Sequence, residues 1–207
     1  MGKQYGFFVD VSKCTGCNTC RVACKDFYDL DLGQNFRRVL DYEGGNWAKE
    51  GDGWSPEVFA YYTSISCNHC ENPACTTACP TGAMHKREED GLVVVDQDEC
   101  IGCRYCEMAC PYGAPQFDQK RKVMSKCHGC FDRIEMGRKP ICVEACPQRA
   151  LDFGPIDKLR AKYGNNANIA PLPSPDLTNA SLVVKINKNV RPSGDTTGNL
   201  QNRREVL

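Results

Sequence analysis

The sixteen cysteines of this 207-residue chain fall into four groups of four, and this arrangement constrains the fold more than any other feature. In every group, two residues separate the first two cysteines and three residues separate the last two. The groups are Cys14, Cys17, Cys20 and Cys24; Cys67, Cys70, Cys75 and Cys79; Cys100, Cys103, Cys106 and Cys110; and Cys127, Cys130, Cys142 and Cys146. No cysteine is left over, so the sequence repeats one kind of site four times.

Disulfide bridges are one explanation for so many cysteines. Disulfide-rich chains are usually short and secreted, whereas this chain is longer and residues 1–12 show no secretory signal. Cysteines three positions apart in a tight loop, as in Cys14-Thr15-Gly16-Cys17, are also poorly placed for several parallel bridges. The spacing therefore disfavours eight disulfides.

Structural zinc sites are a second explanation. Zinc usually takes two separated C-x2-C pairs. Groups one and three instead place three cysteines within seven residues and add a fourth four positions later. We therefore expect no zinc, and a zinc protein would be colourless and free of iron.

Iron–sulfur clusters explain the spacing directly, because three closely spaced cysteines can bind three irons of one cluster. In two-cluster bacterial ferredoxins, the run C-x2-C-x2-C-x3-C-P sends its fourth cysteine to the other cluster. Group three matches this run in full, since Pro111 follows Cys110. Proline also follows Cys79 and Cys146, whereas Lys25 follows Cys24. The sequence predicts four 4Fe–4S clusters.

Composition excludes several classes of function. Lys plus Arg and Asp plus Glu each total 26, and a formal net charge of +0 argues against a nucleic-acid-binding protein. Hydrophobic residues make up 41%, which is enough for a folded protein. No run approaches the ~18 consecutive apolar residues of a membrane helix. We identify no nucleophile, general base or substrate pocket, and so expect no catalytic residue and no direct small-molecule substrate.

Short strands and helices are predicted around the cysteine groups. The apolar patterns predict one helix, beginning at Pro155 and ending at Tyr163, and strands over Tyr5–Val9, Phe36–Tyr42, Val58–Thr63, Leu92–Val95, Lys122–Ser125, Leu151–Phe153 and Leu182–Ile186. A loop is expected from Gly44 to Trp54, and an extended linker through Pro171, Pro173 and Pro175. Residues 190–207 are poor in apolar groups, so we expect them to be disordered alone and to wrap a partner.

Other polar and aromatic residues have plainer interpretations. With sixteen cysteines for sixteen irons, His69, His85 and His128 are expected at the surface or behind the ligands. Trp47 and Trp54 are expected to pack or to form an interface. The run Lys120-Arg121-Lys122 with Lys126 is expected on a solvated face. The alternative is that Lys126 or Arg104 lies near a cluster and raises its potential by favouring the more negative reduced form.

A close family resemblance covers nearly the whole sequence. The residues that carry it include 4–8, 14–17, 36–38, 58–62, 64–70, 82–87, 100–106, 110–116, 150–156 and 191–198. In these segments the protein resembles the iron–sulfur electron-transfer subunit, or B subunit, of the dimethyl sulfoxide reductase family of molybdoenzymes.

The resemblance implies how the cysteines share the clusters. Each set of three cysteines from one group would take its fourth ligand from another group. The implied sets are Cys14, Cys17, Cys20 and Cys146 (cluster 1); Cys67, Cys70, Cys75 and Cys110 (cluster 2); Cys100, Cys103, Cys106 and Cys79 (cluster 3); and Cys127, Cys130, Cys142 and Cys24 (cluster 4). Because Cys106 is present, cluster 3 is expected to hold four irons rather than three.

The implied fold is α+β, with two ferredoxin-like modules, an inserted strand pair and loop, and a C-terminal extension. The outer module comprises 1–35 and 122–155 and holds groups one and four. The inserted segment is 36–66, and the inner module, 67–121, holds groups two and three. A C-terminal helix and partner-wrapping tail occupies 156–207.

The resemblance also implies a role and partners. Four clusters would relay electrons from a quinol-oxidising integral-membrane anchor subunit to a catalytic subunit that holds the molybdopterin and reduces dimethyl sulfoxide or a related S- or N-oxide in anaerobic respiration. The protein would then be peripheral to the bacterial cytoplasmic membrane. It would be exported folded by the twin-arginine route of its partner, with the periplasmic face favoured.

Two other electron-transfer roles stay open from the residues alone. The protein could be the relay of another complex, such as formate dehydrogenase, hydrogenase or polysulfide reductase, or a soluble polyferredoxin carrier. A free carrier would not need the long 25–66 connection and the long tail after Cys146. Gel filtration distinguishes these roles, because a free carrier migrates at about the 23.0 kDa of the polypeptide.

Overall fold

Short strands and short helices alternate along the sequence in the structure, a computed structural model that describes residues 3–206. The strands are β1 (Tyr5–Asp10), β2 (Arg38–Gly44), β3 (Trp47–Glu50), β4 (Gly53–Pro56), β5 (Phe59–Ile65), β6 (Met84–Lys86), β7 (Val93–Val95), β8 (Gln116–Phe117), β9 (Met124–Ser125), β10 (Leu151–Pro155), β11 (Leu182–Lys185) and β12 (Gly198–Leu200). The helices are α1 (Thr19–Phe27), α2 (Ala74–Thr77), α3 (Tyr105–Ala109), α4 (Phe131–Glu135), α5 (Ile141–Glu144), α6 (Ile156–Tyr163) and α7 (Arg203–Val206), with one 3-10 turn at Pro175–Leu177. This mixture agrees with the predicted α+β class.

One sheet has the order β10-β1-β11, with β1 antiparallel to β10 and parallel to β11. Its central strand is apolar on both faces, because Phe7 and Val9 pack into the main core while Phe8 packs under α6. The Phe8 and Tyr163 rings stack with centroids 3.6 Å apart. The predicted strands near residues 5, 151 and 182 and the helix over 156–163 are confirmed.

A second sheet has the order β12-β2-β5. The β2–β5 pair is the predicted strand pair of the inserted segment. In this pair Tyr42 lies directly opposite Tyr61, and both are in the core. The expected loop between them instead contains the hairpin β3–β4. Trp47 and Trp54 of this hairpin are 61% and 65% exposed, so the packing role considered for them is wrong.

The helices that carry the cysteines are short, and proline sets where three of them end. α2, α3 and α5 each stop just before a Cys-Pro pair, because proline cannot continue a helix and disfavours helical geometry in the residue before it. α1 contains Cys24, which Lys25 follows, and this helix continues to Phe27. The sequence difference at group one therefore appears as a longer helix.

The C-terminal segment packs against the rest of the protein. Ile169, Ala170 and Leu172 are buried, and the Tyr61 hydroxyl donates a hydrogen bond to the Ala170 carbonyl oxygen at 2.9 Å. The first part of the expected linker is thus in the core, whereas Pro175 begins a 3-10 turn in which Leu177 is exposed.

The end of the tail is ordered as well. β12 adds to the edge of β2, and the Arg38 Nη1 donates to the Val206 carbonyl oxygen at 3.0 Å. The expectation that the tail is disordered without a partner is wrong for residues 190–206; Leu207 lies outside the described residues. Across residues 3–206, every helix is too short or too polar to cross a membrane.

Candidate iron–sulfur centres

The loop between the first two cysteines has the same backbone feature in all four groups. The residue just before the second cysteine has a positive φ, between 44° and 73°: Gly16, His69, Gly102 and Gly129. Left-handed geometry favours glycine, yet group two places a histidine there. In groups two and four this turn directs the backbone N–H of His69 to the Cys67 Sγ and that of Gly129 to the Cys127 Sγ, both at 3.4 Å.

The last cysteine of three groups also receives a backbone N–H. Met84 donates to the Cys79 Sγ at 3.3 Å, Ala114 to the Cys110 Sγ at 3.5 Å, and Ala150 to the Cys146 Sγ at 3.4 Å. Such bonds favour the thiolate, which is the form that binds iron, and they tune the potential of a bound cluster.

The fold brings the cysteines together across the sequence groups. Helix α1 packs on α5, which places group one beside group four, and α2 packs on α3, which places group two beside group three. Burial raises the pKa of the Cys14 thiol to about 11, and the neighbouring thiolates of Cys20, Cys146 and Cys17 add to the shift. Cys14 therefore shares its surroundings with the last cysteine of group four.

The reciprocal exchange occurs at Cys24. Burial raises the pKa of this thiol, and its thiolate neighbours are Cys127, Cys142 and Cys130. All four of these sulfur-bearing side chains are buried. The last cysteine of group one thus lies among the first three of group four.

Groups two and three exchange their last cysteines in the same way. Burial raises the pKa of Cys75 to about 11, with Cys110 and Cys70 among its thiolate neighbours. Burial also raises the pKa of Cys106 to about 12, with Cys75, Cys100 and Cys79 as thiolate neighbours. A small cavity is lined by four cysteines: Cys79, Cys100, Cys103 and Cys106.

The four thiol sets form a row. Cys20 of the first set neighbours Cys142 of the set around Cys24, and Cys127 of that set neighbours Cys67. Cys75 of the third set neighbours Cys106 of the last. Cys17, at one end of the row, is exposed, and the set at the other end is partly exposed, whereas most of the middle cysteines are buried.

A zinc ion and a four-iron cluster require different spacings of their sulfur ligands. A single zinc ion holds its thiolates at about 2.3 Å, which draws their sulfur atoms to within about 4 Å of one another. Within residues 3–206, no three His, Cys, Asp or Glu side chains lie close enough to hold one metal ion. In a four-iron cluster each cysteine binds a different iron, so wider sulfur spacing is required.

Side chains that the sequence did not mark donate to the sulfurs. The Thr178 Oγ1, from the C-terminal segment, donates to the Cys70 Sγ at 3.0 Å, and the Ser64 Oγ lies 3.2 Å from the Cys20 Sγ. Thr178 is 108 residues from Cys70 in sequence, so no local signal could have identified it.

His69 is fully buried behind a cysteine, so a surface position is wrong for it. Its Nδ1 accepts the Val93 backbone N–H at 3.0 Å, and its Nε2 lies 3.8 Å from the Cys127 Sγ. Burial lowers the pKa of His69 well below 6.5, so the ring is neutral at physiological pH. With Nδ1 accepting, the ring proton resides on Nε2 and points to sulfur. His85 is exposed, and His128 packs between the Tyr28 and Phe131 rings.

The basic run divides between solvent and core. Lys120 and Arg121 are exposed, but Lys126 is 3% exposed, so a solvated face is wrong for it. Its Nζ donates to the carbonyl oxygens of Val93 and Cys127. Burial raises the pKa of Cys67, and the Lys126 charge offsets part of that rise. Arg104 instead pairs with Glu107 at the surface, at 2.7 and 3.0 Å.

Comparison with known proteins identifies the family. Residues 58–156 match the family described as 4Fe-4S dicluster domain, and residues 11–29 match a 4Fe-4S binding domain. The sequence is 62% identical over 206 residues to the B chain of the anaerobic dimethyl sulfoxide reductase of Escherichia coli (strain K12), covering 100% of both proteins. The corresponding B chain of Haemophilus influenzae is 60% identical over 205 residues, covering 99% of this protein and 100% of the relative.

A more distant relative belongs to a different enzyme. The B subunit of the sulfite dehydrogenase of Allochromatium vinosum is 39% identical over 174 residues, covering 74% of this protein and 69% of the relative. The full-length relatives at 62% and 60% identity named above are both dimethyl sulfoxide reductase B chains. The protein therefore belongs to the family of anaerobic dimethyl sulfoxide reductase B chains, iron–sulfur subunits that transfer electrons and have no catalytic role of their own.

Proposed function

We propose that this protein holds four 4Fe–4S clusters and no zinc, and that the clusters relay electrons in single file. The exchange of last cysteines between groups carries the proposal, because each thiol set then contains three cysteines of one group and the last cysteine of another. The ligand sets are Cys14, Cys17, Cys20 and Cys146; Cys24, Cys127, Cys130 and Cys142; Cys67, Cys70, Cys75 and Cys110; and Cys79, Cys100, Cys103 and Cys106. When bound, each cluster accepts and releases one electron.

The same exchange supports two ferredoxin-like modules. The outer module, residues 1–35 and 122–155, would contain the α1–α5 contact and the β1–β10 pair. The inner module, residues 67–121, would contain the α2–α3 contact. The inserted segment 36–66 and the extension 156–207 surround them, and the β12–β2 pair joins these two additions. Each module would hold two neighbouring clusters, which places all four in one row.

Hydrogen-bond donors and burial around the sulfurs would favour electron transfer along the row of clusters. Backbone N–H groups and the hydroxyls of Ser64 and Thr178 point at sulfurs, and these donors stabilise the more negative reduced state. Burial of the middle sets excludes water, and the more accessible sulfurs at the two ends give partners a place of electron entry and exit.

The partners follow from the family. One would be a molybdopterin-containing catalytic subunit that reduces dimethyl sulfoxide or a related S- or N-oxide in anaerobic respiration. The other would be an integral-membrane anchor subunit that oxidises quinol. The protein would lie at the bacterial cytoplasmic membrane as a peripheral subunit, exported folded with its catalytic partner to the periplasmic face.

Native purification tests this function. A tag on this protein is expected to recover a complex containing a molybdenum protein and a membrane protein, with about sixteen irons per copy of the tagged polypeptide, one per cysteine. Migration of the native protein alone at about its own mass of 23.0 kDa would contradict the complex. Zinc in place of iron would contradict the clusters.

A further inference from the structure

A single arginine lies between the sulfurs of two neighbouring thiol sets. Arg37 is 1% exposed, and its Nη2 donates to the Cys142 Sγ at 3.3 Å. Its Nη1 donates to the Ser64 carbonyl oxygen at 3.2 Å and lies 3.5 Å from the Ser64 Oγ. Because that hydroxyl is 3.2 Å from the Cys20 Sγ, the guanidinium reaches Cys142 directly and Cys20 through Ser64.

Within residues 3–206, no carboxylate balances this buried charge. The ion pairs formed by residues 3–206 do not include Arg37. The sulfur atoms that face it are those of Cys142 and, beyond the Ser64 hydroxyl, Cys20, and as iron ligands both would be thiolates. A buried charge is strongly unfavourable without a counter-charge, so the sulfur ligands are its electrostatic partners.

The surrounding residues fix the orientation of the guanidinium. Its central carbon lies 4.4 Å from the centroid of the Phe7 ring, and Phe7 is itself buried in β1. The Ser64 carbonyl that accepts from Nη1 belongs to β5, while Arg37 immediately precedes β2. Two paired strands and an aromatic ring therefore hold the cation at the junction of the two sets.

We propose that Arg37 is a positioning residue for electron transfer, a shared cation that raises the reduction potentials of both the cluster of Cys14, Cys17, Cys20 and Cys146 and the cluster of Cys24, Cys127, Cys130 and Cys142. The proposal rests on the proposed function, because it needs these two clusters. Each transfer oxidises one cluster and reduces its neighbour by one electron, and Arg37 keeps its proton throughout. The cation favours the reduced state of both because reduction adds negative charge beside it.

Redox titration of the intact complex, followed by EPR, tests this role in the Arg37→Gln variant. The equilibrium constant for reduction of both clusters is expected to fall about tenfold, which is about 59 mV for a one-electron couple. The clusters of the Cys67 and Cys79 sets should keep their potentials. Arg204→Gln is the matched control: it removes an exposed arginine from α7, which carries no cysteine, and all four potentials should stay unchanged.

Two further variants decide the matter if Arg37→Gln does not assemble four clusters. Arg37→Lys keeps the charge but not the forked donors, so relative to wild type both potentials should fall by less than the tenfold change expected for loss of the charge. Ser64→Ala leaves the guanidinium and removes the hydroxyl beside Cys20, so the potential of the Cys20 cluster alone should fall. Unchanged potentials of both clusters in Arg37→Gln, or a full tenfold fall in Arg37→Lys although the charge is kept, would overturn the proposal. Wild-type complex lacking four cluster signals would instead overturn the proposed function before any variant is compared.

Discussion

At the scale of single residues, buried cations and hydroxyls lie beside the sulfurs of particular cysteines. Arg37 contacts Cys142, Lys126 acts on Cys67, and Thr178 donates to Cys70. The sequence marks the cysteines, because ligand spacing is local, but these contacts span up to 108 residues and exist only after folding. His69 is an intermediate case. The sequence shows a histidine just before Cys70, where the other three groups have glycine, but it does not show what the side chain contacts.

Lys126 is expected to raise the potential of the cluster of Cys67, Cys70, Cys75 and Cys110. Its buried charge lies close to Cys67, and Lys126→Gln removes the charge while keeping a donor for the Cys127 carbonyl oxygen. EPR-monitored titration should show a lower potential for that cluster, with each tenfold loss in the reduction equilibrium equal to about 59 mV. An unchanged potential would mean that the lysine acts on structure alone.

Thr178 is expected to stabilise the reduced state of the same cluster through one hydrogen bond. Thr178→Val removes the hydroxyl that donates to the Cys70 Sγ and should lower the potential in the same titration. Thr76→Val is the matched control, because the Thr76 hydroxyl donates to the Pro73 carbonyl oxygen rather than to sulfur. Equal effects of the two substitutions would refute a specific role for Thr178.

At the scale of elements, proline and glycine were the informative residues. Helices α2, α3 and α5, which the sequence did not predict, stop just before Cys-Pro pairs, and the apolar patterns correctly predicted strands β1, β2 and β5. The prediction of a disordered tail was wrong because it relied on the small number of apolar residues there. Backbone pairing of β12 with β2 and the burial of Val206 order the tail. Pairing with a distant strand edge leaves no signal in local composition.

The ordered tail is expected to depend on Asn202. The Asn202 Oδ1 accepts the Asp41 backbone N–H at 3.0 Å, and the Nδ2 donates to the Val39 carbonyl oxygen at 2.8 Å. Asn202→Ala should lower the free energy of unfolding by about 1–2 kcal/mol, since both bonds are lost in a part-buried site. Gln201→Ala, at an exposed neighbour, should change it little. The midpoint for loss of visible cluster absorbance in urea measures both, and equal midpoints would contradict the role of Asn202.

At the scale of the whole molecule, many core residues are cysteines that we propose as iron ligands. Ten of the cysteines are buried, and charged Arg37, Arg38 and Lys126 lie among or beside them. Without iron, burial raises the pKa of thiols such as Cys14 and Cys75, so they bind protons and leave these cations without counter-charges. Cluster assembly and folding are therefore expected to be coupled.

Iron removal tests this coupling. Treatment of the holoprotein with a chelator and oxidant should abolish the visible absorbance and the near-UV circular dichroism together, because metal-free thiols do not balance the buried cations. Reconstitution with iron and sulfide should restore both signals. A metal-free protein that keeps its near-UV spectrum and unfolds cooperatively would show that the core is stable without clusters.

Exchange of last cysteines between groups is the central claim, and EPR of single Cys→Ser variants tests it most directly. Cys146→Ser is predicted to alter the same cluster signal as Cys14→Ser, and Cys24→Ser the same signal as Cys127→Ser. Likewise, Cys110→Ser should match Cys75→Ser, and Cys79→Ser should match Cys106→Ser. Signals lost according to sequence group, with Cys24→Ser matching Cys14→Ser and Cys146→Ser matching Cys127→Ser, would contradict the exchange.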